Sequence, residues 1–141
     1  MREILFRGKG TSGYSTNKWV YGYYCKDFWS PQTGHGILPI DKERGGYVEV
    51  VPETVGQFTG LTDKNGKKIF EGDIVHILGN QQVEDWKNVN YNALIAFLDG
   101  GFCAIDGTIE EHGFRRYALA RMDFDLEVIG NIHDNPELME G

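Results

Sequence analysis

Short runs of alternating apolar and polar residues, separated by glycine-containing turns, recur along most of this chain. Clear examples are Lys18–Lys26, Tyr47–Val51 and Leu126–Ile132. Alternation with a period of two is the strand pattern, because successive side chains of a strand point to opposite faces. Glycine is frequent, at 19 residues, and proline is scarce, at four. This balance favours tight turns over flexible linkers. The sequence therefore predicts a mainly β fold.

The predicted strands fall into two groups along the chain. The N-terminal group comprises Arg2–Phe6, Lys18–Lys26, Ile37–Ile40 and Tyr47–Val51. The C-terminal group comprises Gln57–Leu61, Lys68–Phe70, Ile74–Leu78, two strands about an Asp99-Gly100-Gly101 turn, and Leu126–Ile132. The strands from Lys68 to Ile132 suit a small SH3-like barrel. We expect an N-terminal β subdomain in residues 1–55 and this barrel in residues 56–141, packed as one compact unit with few short helical turns.

Two segments fit more than one local structure. Residues 79–92 are polar, and the spacing of Trp86 and Val89 approximates that of a helix. Asparagines at 88, 90 and 92 are poor interior helix residues, so we expect a loop that leads into a strand. Within residues 108–124, the segment from Phe114 to Met122 fits either a strand or one or two helical turns.

Three turns are predicted from residue type. Asn65-Gly66 is a strong signal for a two-residue hairpin of type I′, because both of its central residues need positive φ. Gly72, between Glu71 and Asp73, permits a bulge or sharp bend. Near the C-terminus, Asn135 is predicted to cap a short helical turn that begins at Pro136.

Charge and cysteine usage restrict the functional class. The chain has 14 basic and 21 acidic residues, a net charge of −7, which disfavours nonspecific binding to nucleic acid. Cys25 and Cys103 lie far apart without a CxxC pattern, so we expect buried free thiols. No apolar run approaches the ~18 residues of a membrane span, and the N-terminal apolar segment is too short for a signal peptide. We expect a cytoplasmic protein that does not associate with a membrane.

One glycine pattern resembles a cofactor loop. Gly8–Gly13 (GKGTSG) fits G-x-G-x-x-G, but a phosphate cradle needs a helix directly after the loop. The residues that follow alternate as a strand does. We interpret the segment as a flexible turn and expect no cofactor.

Carboxylates and histidines are numerous but do not form a recognisable catalytic motif. Asp73, Asp99 and Asp106 each adjoin a glycine, as turn residues do. The acidic residues that could share one strand face as a cation site are Asp123, Asp125 and Glu127, although a solvated acidic face is the simpler interpretation. The histidines lack ligand spacing. We expect no metal and no catalytic residues.

Aromatic residues concentrate early in the chain, at Trp19, Tyr21, Tyr23, Tyr24, Phe28 and Trp29. Alternation places Trp19, Tyr21 and Tyr23 on one strand face, which we interpret first as a core face. Two alternatives remain: a protein-binding or oligomer patch, and a platform that stacks single-stranded bases near basic residues. The candidate binding residues are Trp19, Tyr21, Tyr23, Tyr24, Arg7 and Lys18.

Three segments carry a specific combination of motifs, KWVYGYY, VVPETVGQFTGLTDKNGKKIFEGDIV and VIGNIHDNPELM. Together they resemble the YopX family of small bacteriophage and prophage proteins, over residues 2–139 but with little similarity between Gly79 and Phe124. The resemblance implies a mainly β protein with an SH3-like barrel and a phage or prophage origin. It implies no catalytic or binding residues. The motif residues have the character of structural turns: Gly60, Asn65, Gly66, Gly72, Asp73, Gly130 and Asn131.

These observations lead to one favoured function and two alternatives. We expect a non-enzymatic accessory protein in the cytoplasm of a bacterial host, which contacts an unidentified phage or host protein or assembles with itself. Small β folds leave edge strands that invite such pairing. The alternatives are a module that binds single-stranded nucleic acid and a metal-dependent hydrolase.

Overall fold

The computed structural model describes residues 3–11, 13–26, 34–40, 46–79, 90–106, 116–119 and 125–140. The β-strands in these ranges are β1 (Phe6–Lys9), β2 (Trp19–Lys26), β3 (His35–Pro39), β4 (Val48–Glu49), β5 (Gly56–Thr62), β6 (Lys68–Phe70), β7 (Asp73–Leu78), β8 (Asn90–Leu98), β9 (Gly101–Asp106), β10 (Arg116–Ala118) and β11 (Asp125–Asn131). Short 3-10 helices cover Gly13–Ser15, Pro52–Thr54 and Pro136–Met139. The chain forms two compact units, residues 1–60 and 61–141. The prediction of a mainly β fold is confirmed.

In the first unit the antiparallel strand order is β4-β3-β2-β1-β5. Further backbone bonds join the residues around β4 to the end of β1: the Val51 amide donates to the Lys9 carbonyl at 2.8 Å, and the Thr11 amide to the Glu49 carbonyl at 3.1 Å. The sheet therefore curls, and its inner side holds Val50, which is buried.

The predicted strand Arg2–Phe6 is wrong in its bounds, because β1 covers Phe6–Lys9 and Arg2 lies outside the described residues. Gly8 explains the shift. The side chain of Val50 lies 3.0 to 3.2 Å from the place where a β-carbon on Gly8 would be. Gly8, which we assigned to a flexible turn, lies in β1. Its missing side chain allows Val50, the residue after β4, to approach this strand closely.

The second unit contains an antiparallel sheet of order β10-β9-β8-β7-β11. Alternation along its strands places apolar side chains on one face, and the register brings them together: Val75 lies opposite Ala93, and Ile95 opposite Ala104. The buried cluster comprises Ile69, Val75, Ile77, Ala93, Ile95, Ala104 and Leu119. Among the described residues no pairing joins β10 to β11, so the sheet is not seen to close into a barrel.

The two hairpin turns of this unit differ. Asp99 and Gly100 both have positive φ, 52° and 82°, and Leu98 pairs with Gly101, which is a two-residue type I′ turn. The type I′ turn predicted at Asn65-Gly66 is wrong, because Gly66 has a φ of +81° and Asn65 does not have positive φ. The loop is longer there: the Gly66 amide donates to the Asp63 carbonyl, and the Asp63 amide to the Lys67 carbonyl.

The segments that the sequence left open are only partly described. Asn90, Tyr91 and Asn92 belong to β8, so the end of the predicted loop is strand, while residues 80–89 lie outside the described residues. Residues 116–118 form β10, and the rest of 108–124, apart from Leu119, lies outside as well. In the described parts of the chain, no helix has both the length and the apolar character needed to cross a membrane.

Candidate functional site

The strand register places five large side chains on one face of the first unit. Tyr23 on β2 lies opposite Leu38 on β3, and the amide of Ile40 donates to the carbonyl of Tyr21 at 3.0 Å. Tyr47 precedes β4, and its β-carbon lies 3.4 Å from the place where a β-carbon on Gly36 would be; Gly36 shares its face of β3 with Leu38. We call Tyr21, Tyr23, Leu38, Ile40 and Tyr47 the tyrosine face.

All five side chains of the tyrosine face are exposed. The exposed fractions are 42% for Tyr21, 59% for Tyr23, 36% for Leu38, 49% for Ile40 and 47% for Tyr47. The interpretation of Tyr21 and Tyr23 as core residues is therefore wrong. Alternation shows which side chains share a face but not which face is buried. Here the opposite face is the buried one.

Trp19 lies on the same face of β2 as Tyr21 and contacts two cations of the neighbouring strand β1, where Arg7 lies opposite Tyr21 and Lys9 opposite Trp19. The Arg7 guanidinium is 4.6 Å from the centre of the Trp19 ring, and the Lys9 ammonium is 5.6 Å away. Both distances suit cation–π attraction. Trp19 is half-buried, and Arg7 is only 5% exposed. Arg7 thus stabilises the sheet through Trp19 and presents little of its guanidinium to a ligand. Lys18, which directly precedes β2, is exposed.

Tyr24 does not belong with the other candidate residues, because alternation places it on the opposite face of β2. Its hydroxyl shares a hydrogen bond with Nδ1 of His35, and its ring centre lies 5.5 Å from that of Phe6. Burial raises the pKa of Tyr24, and the neighbouring Cys25 adds to the rise. Cys25 is half-buried and Cys103 is buried, and both are free thiols.

Asp63 organises the central motif, and the sequence reasoning did not single it out. Its Oδ1 accepts hydrogen bonds from the amides of Asn65 and Lys67 at 2.8 and 2.9 Å, and its Oδ2 accepts one from the amide of Val128 at 2.9 Å. An aspartate two residues before Asn-Gly is a signal for an Asx turn, and could have identified it. Burial works to raise the pKa of this carboxyl, but the three amides and the Lys67 charge together lower it below its usual value.

The same turn covers the outer edge of β11. The Lys64 amide donates to the Leu126 carbonyl at 2.9 Å, next to the bond from Val128 to Asp63. The Lys64 ammonium also lies 3.5 Å from the Glu127 carboxylate, an exposed pair that contributes little. Backbone groups that an edge strand would offer to another chain are therefore occupied at this point.

The turn before β7 is fixed in a similar way. Oδ2 of Asp73, which is buried, accepts a hydrogen bond from the Phe70 amide at 2.7 Å. Gly72 has a φ of +92°, which confirms a sharp bend there. Its amide donates to the Ile95 carbonyl at 2.8 Å, and its carbonyl accepts from the Ile132 amide at 2.9 Å. Gly60 has a φ of +89°.

The C-terminal motif is held together by side-chain hydrogen bonds around Asn131. Oδ1 of Asn131 accepts from the amides of His133 and Asp134 at 3.0 and 2.9 Å, and the Asn131 amide donates to Oδ1 of Asn135 at 3.2 Å. Asn135 occupies the position before the helical turn that begins at Pro136, as predicted, but its side chain does not cap that turn. A β-carbon on Gly130 would lie 2.5 Å from Oδ1 of Asn135, so glycine is needed there.

Polar side chains that could have been reactive groups make hydrogen bonds within the fold, as His76 shows among the described residues. His76 Nδ1 lies 2.9 Å from Asn92 Oδ1 in a hydrogen bond, and Asn92 donates to the Leu138 carbonyl at 3.0 Å. In the described ranges no three His, Cys, Asp or Glu side chains form a group suited to a metal ion. Asp123, one of the acidic residues considered as a cation site, lies outside those ranges.

Comparison with known proteins adds the family. A family model described as YopX protein matches residues 14–140. The chain belongs to the YopX family. This YopX-family chain is also similar to the solved structure of protein EF1440 from Enterococcus faecalis, at 26% sequence identity and a TM-score of 0.54. The similarity covers 99% of this chain and 100% of that one. No curated protein matches the sequence significantly.

Membership of the YopX family matches the structural role of the motif residues. Asp73, Asn131 and the glycines Gly66 and Gly72 lie in turns or supply turn hydrogen bonds. The tyrosine face, by contrast, combines two residues of the KWVYGYY segment with Leu38, Ile40 and Tyr47, which the sequence reasoning did not propose as binding residues. Strand pairing was needed to bring them next to Tyr21 and Tyr23.

Proposed function

We propose that this chain is a non-enzymatic accessory protein of a phage or prophage, which acts in the bacterial cytoplasm by binding another protein through the tyrosine face. The observation that carries the proposal is the exposure of five large, uncharged side chains on one hydrogen-bonded sheet face. The backbone of Tyr21, Tyr23 and Leu38 is fixed in β2 and β3, so that little backbone entropy is lost there when a partner binds.

The chemistry of the tyrosine face suits a protein partner. Tyrosine is enriched and charge is depleted at the centre of protein–protein interfaces. With the observed exposed fractions, the five side chains present on the order of 450 Å² of largely apolar surface. Patches of this size on soluble proteins are often functional.

The surroundings of Trp19 favour a protein over a nucleic acid as the partner. A single-strand platform needs cations that reach the phosphates beside the stacked bases. Arg7 is buried and lies over Trp19, and Lys9 lies near the same ring. The exposed cations Lys18 and Lys26 lie at the two ends of β2. The aliphatic side chains of Leu38 and Ile40 between the tyrosines provide an apolar surface instead of further stacking rings.

The strand order of the second unit supports a further part of the proposal, an SH3-like barrel in the C-terminal part. β7 to β10 follow one another as neighbours, and β11 returns to pair with β7. Such a five-stranded sheet would close if β10 and β11 met. The part of the β11 edge that the turn with Asp63 leaves uncovered would then lie at the point of closure.

Photo-cross-linking tests the binding surface. We expect benzoylphenylalanine in place of Tyr23 to give a covalent adduct with a protein when the chain is produced in a bacterial cell carrying the related prophage. The same residue in place of Tyr14, which is 80% exposed and lies outside the tyrosine face, serves as the matched control. Adducts are detected by gel mobility and identified by mass spectrometry.

Two results would contradict the proposal. Equal labelling at positions 23 and 14 would show contact without a specific surface. An adduct at position 23 that contains nucleic acid, or no adduct at that position at all, would remove the tyrosine face as a protein-binding surface.

A further inference from the structure

Asn65-Gly66 is the only Asn-Gly pair in the sequence, and it lies in the turn that Asp63 organises. Both residues of the pair are exposed. We propose that Asn65 is a site of spontaneous covalent modification, at which the side-chain amide is lost and isoaspartate forms when this turn opens. The inference does not depend on the tyrosine face, because the turn belongs to the second unit.

The reaction needs only these two residues and water. The Gly66 nitrogen loses its proton and attacks Cγ of Asn65. A bond from this nitrogen to Cγ forms, the bond from Cγ to Nδ2 breaks, and the amide leaves with the proton as ammonia. Water then opens the cyclic imide. Attack of water at the backbone carbonyl of residue 65 gives isoaspartate, in which the main chain runs through Cγ, and attack at Cγ gives aspartate.

Gly66 leaves the attacking nitrogen accessible. Glycine has no side chain that could shield its own nitrogen. Apart from the two chain neighbours of Gly66, no atom of the described residues lies within 4 Å of the place where its β-carbon would be. Solvent can therefore reach the reacting atoms, and the side chain of Asn65 has room to turn towards the nitrogen.

The folded turn opposes the reaction through Asp63. The Gly66 amide donates its proton to the Asp63 carbonyl at 3.0 Å, whereas the attack needs this nitrogen without its proton. Oδ1 of Asp63 accepts the amides on either side, those of Asn65 and Lys67, at 2.8 and 2.9 Å. These bonds fix the backbone around the reacting atoms. The rate of modification should therefore follow the population in which the turn is open.

Conversion should release the turn from β11. Isoaspartate adds a methylene to the main chain between residues 65 and 66. Both products also place a second carboxylate in the turn beside that of Asp63, and like charges repel. The bond that suffers is the one from the Val128 amide to Oδ2 of Asp63, since it needs the carboxylate in its present position.

Incubation of the folded full chain at neutral pH measures the reaction. Isoaspartate is quantified by methyl transfer from S-adenosylmethionine with a protein isoaspartate methyltransferase, and mass spectrometry of peptides locates it. We expect slow conversion at Asn65 in the wild type. Conversion should be at least about fivefold faster in Asp63→Ala, because loss of the carboxylate raises the open population. Asn65→Gln should abolish the label, and Asn17, which is exposed but precedes Lys18, should stay unmodified.

Asn131→Ala distinguishes opening of the turn from unfolding of the whole unit. It removes two backbone hydrogen bonds in the same unit but none in the turn. The rate at Asn65 should therefore stay within about twofold of the wild type, as expected for independent sites. Equal acceleration in Asp63→Ala and Asn131→Ala would overturn the protection by Asp63. Absence of isoaspartate at position 65 in Asp63→Ala would remove the site.

The effect on β11 is measured on converted chains, which ion exchange separates because conversion adds a negative charge. Hydrogen–deuterium exchange of the Val128 amide should be faster in the isoaspartate form than in the unmodified chain. Asn65→Asp, which adds the charge without the methylene, should give a smaller increase. Unchanged exchange at Val128 in the isoaspartate form would contradict release of the turn.

Discussion

Asp63→Ala is expected to lower the free energy of unfolding by about 3 kcal/mol, since the carboxylate accepts three backbone hydrogen bonds and bonds to charged groups contribute about 1.5–3 kcal/mol each. Water can replace part of the loss at Asn65 and Lys67, which are exposed. The hydrogen bond from the Val128 amide attaches the turn to β11, and the loss of this bond is harder to compensate. Urea denaturation measures the change. Asp125 is exposed and lies on β11, the strand of Val128. Asp125→Ala should therefore change the free energy of unfolding by less than about 0.5 kcal/mol.

The pH dependence of the free energy of unfolding distinguishes the contribution of the Asp63 charge from that of the size and shape of its side chain. Because the pKa of Asp63 is lower in the folded chain than its ordinary value of 3.8, the unfolded state binds more protons between the two values. This contribution to stability is therefore full above the unfolded pKa and is lost as the pH falls through the folded pKa. The difference in stability between the wild type and Asp63→Asn should be constant above about pH 5 and should shrink below about pH 4. A difference that grows on acidification would contradict this role.

Asn131→Ala is expected to cost about 2 kcal/mol, because it removes the acceptor of two backbone amides in a buried side chain. The loss of structure should begin in the residues next to Asn131. The side chain of Asn131 also donates to Asp134 at 3.1 Å, so its removal should loosen the turn that leads to Pro136–Met139. Hydrogen–deuterium exchange should therefore accelerate for the amides of residues 133–140 before it does so in β7.

A matched control is available in the same segment. Glu137 is exposed, and its carbonyl, which Glu137→Ala retains, accepts the Glu140 amide at 3.1 Å. Glu137→Ala should leave both the free energy of unfolding and the exchange of residues 133–140 near the wild-type values. Equal effects of Asn131→Ala and Glu137→Ala would show that the side-chain bonds of Asn131 do not organise the segment.

The strands were predictable where local pattern decides them. Lys68–Phe70 was predicted with the observed bounds, and the hairpin predicted about Asp99-Gly100-Gly101 is present, with positive φ at Asp99 and Gly100. Asn65-Gly66 failed because the sequence pattern did not include the Asp63 carboxylate, whose bonds to two amides of the loop favour a longer turn. Local signals describe the residues of a turn, whereas this carboxylate also bonds to Val128, 65 residues away.

The candidate surface was only half predictable. The alternation of β2 correctly grouped Tyr21 with Tyr23 and separated them from Gly22, but could not show which face is buried. Val50 covers the buried face at Gly8, and it is held there by bonds between the residues around β4 and the end of β1. Leu38 and Ile40 join the tyrosines through the register of β2 and β3, which no local pattern specifies.

The central claim is that the motif residues stabilise the backbone while the tyrosine face is left for binding. Urea denaturation of the double variant Tyr21→Glu/Tyr23→Glu, at a concentration where the chain is monomeric, tests it most directly. We expect a free energy of unfolding within about 1 kcal/mol of the wild type, since each exposed site should contribute less than about 0.5 kcal/mol. A loss as large as that of Asp63→Ala would show that these tyrosines belong to the core, and would contradict the claim.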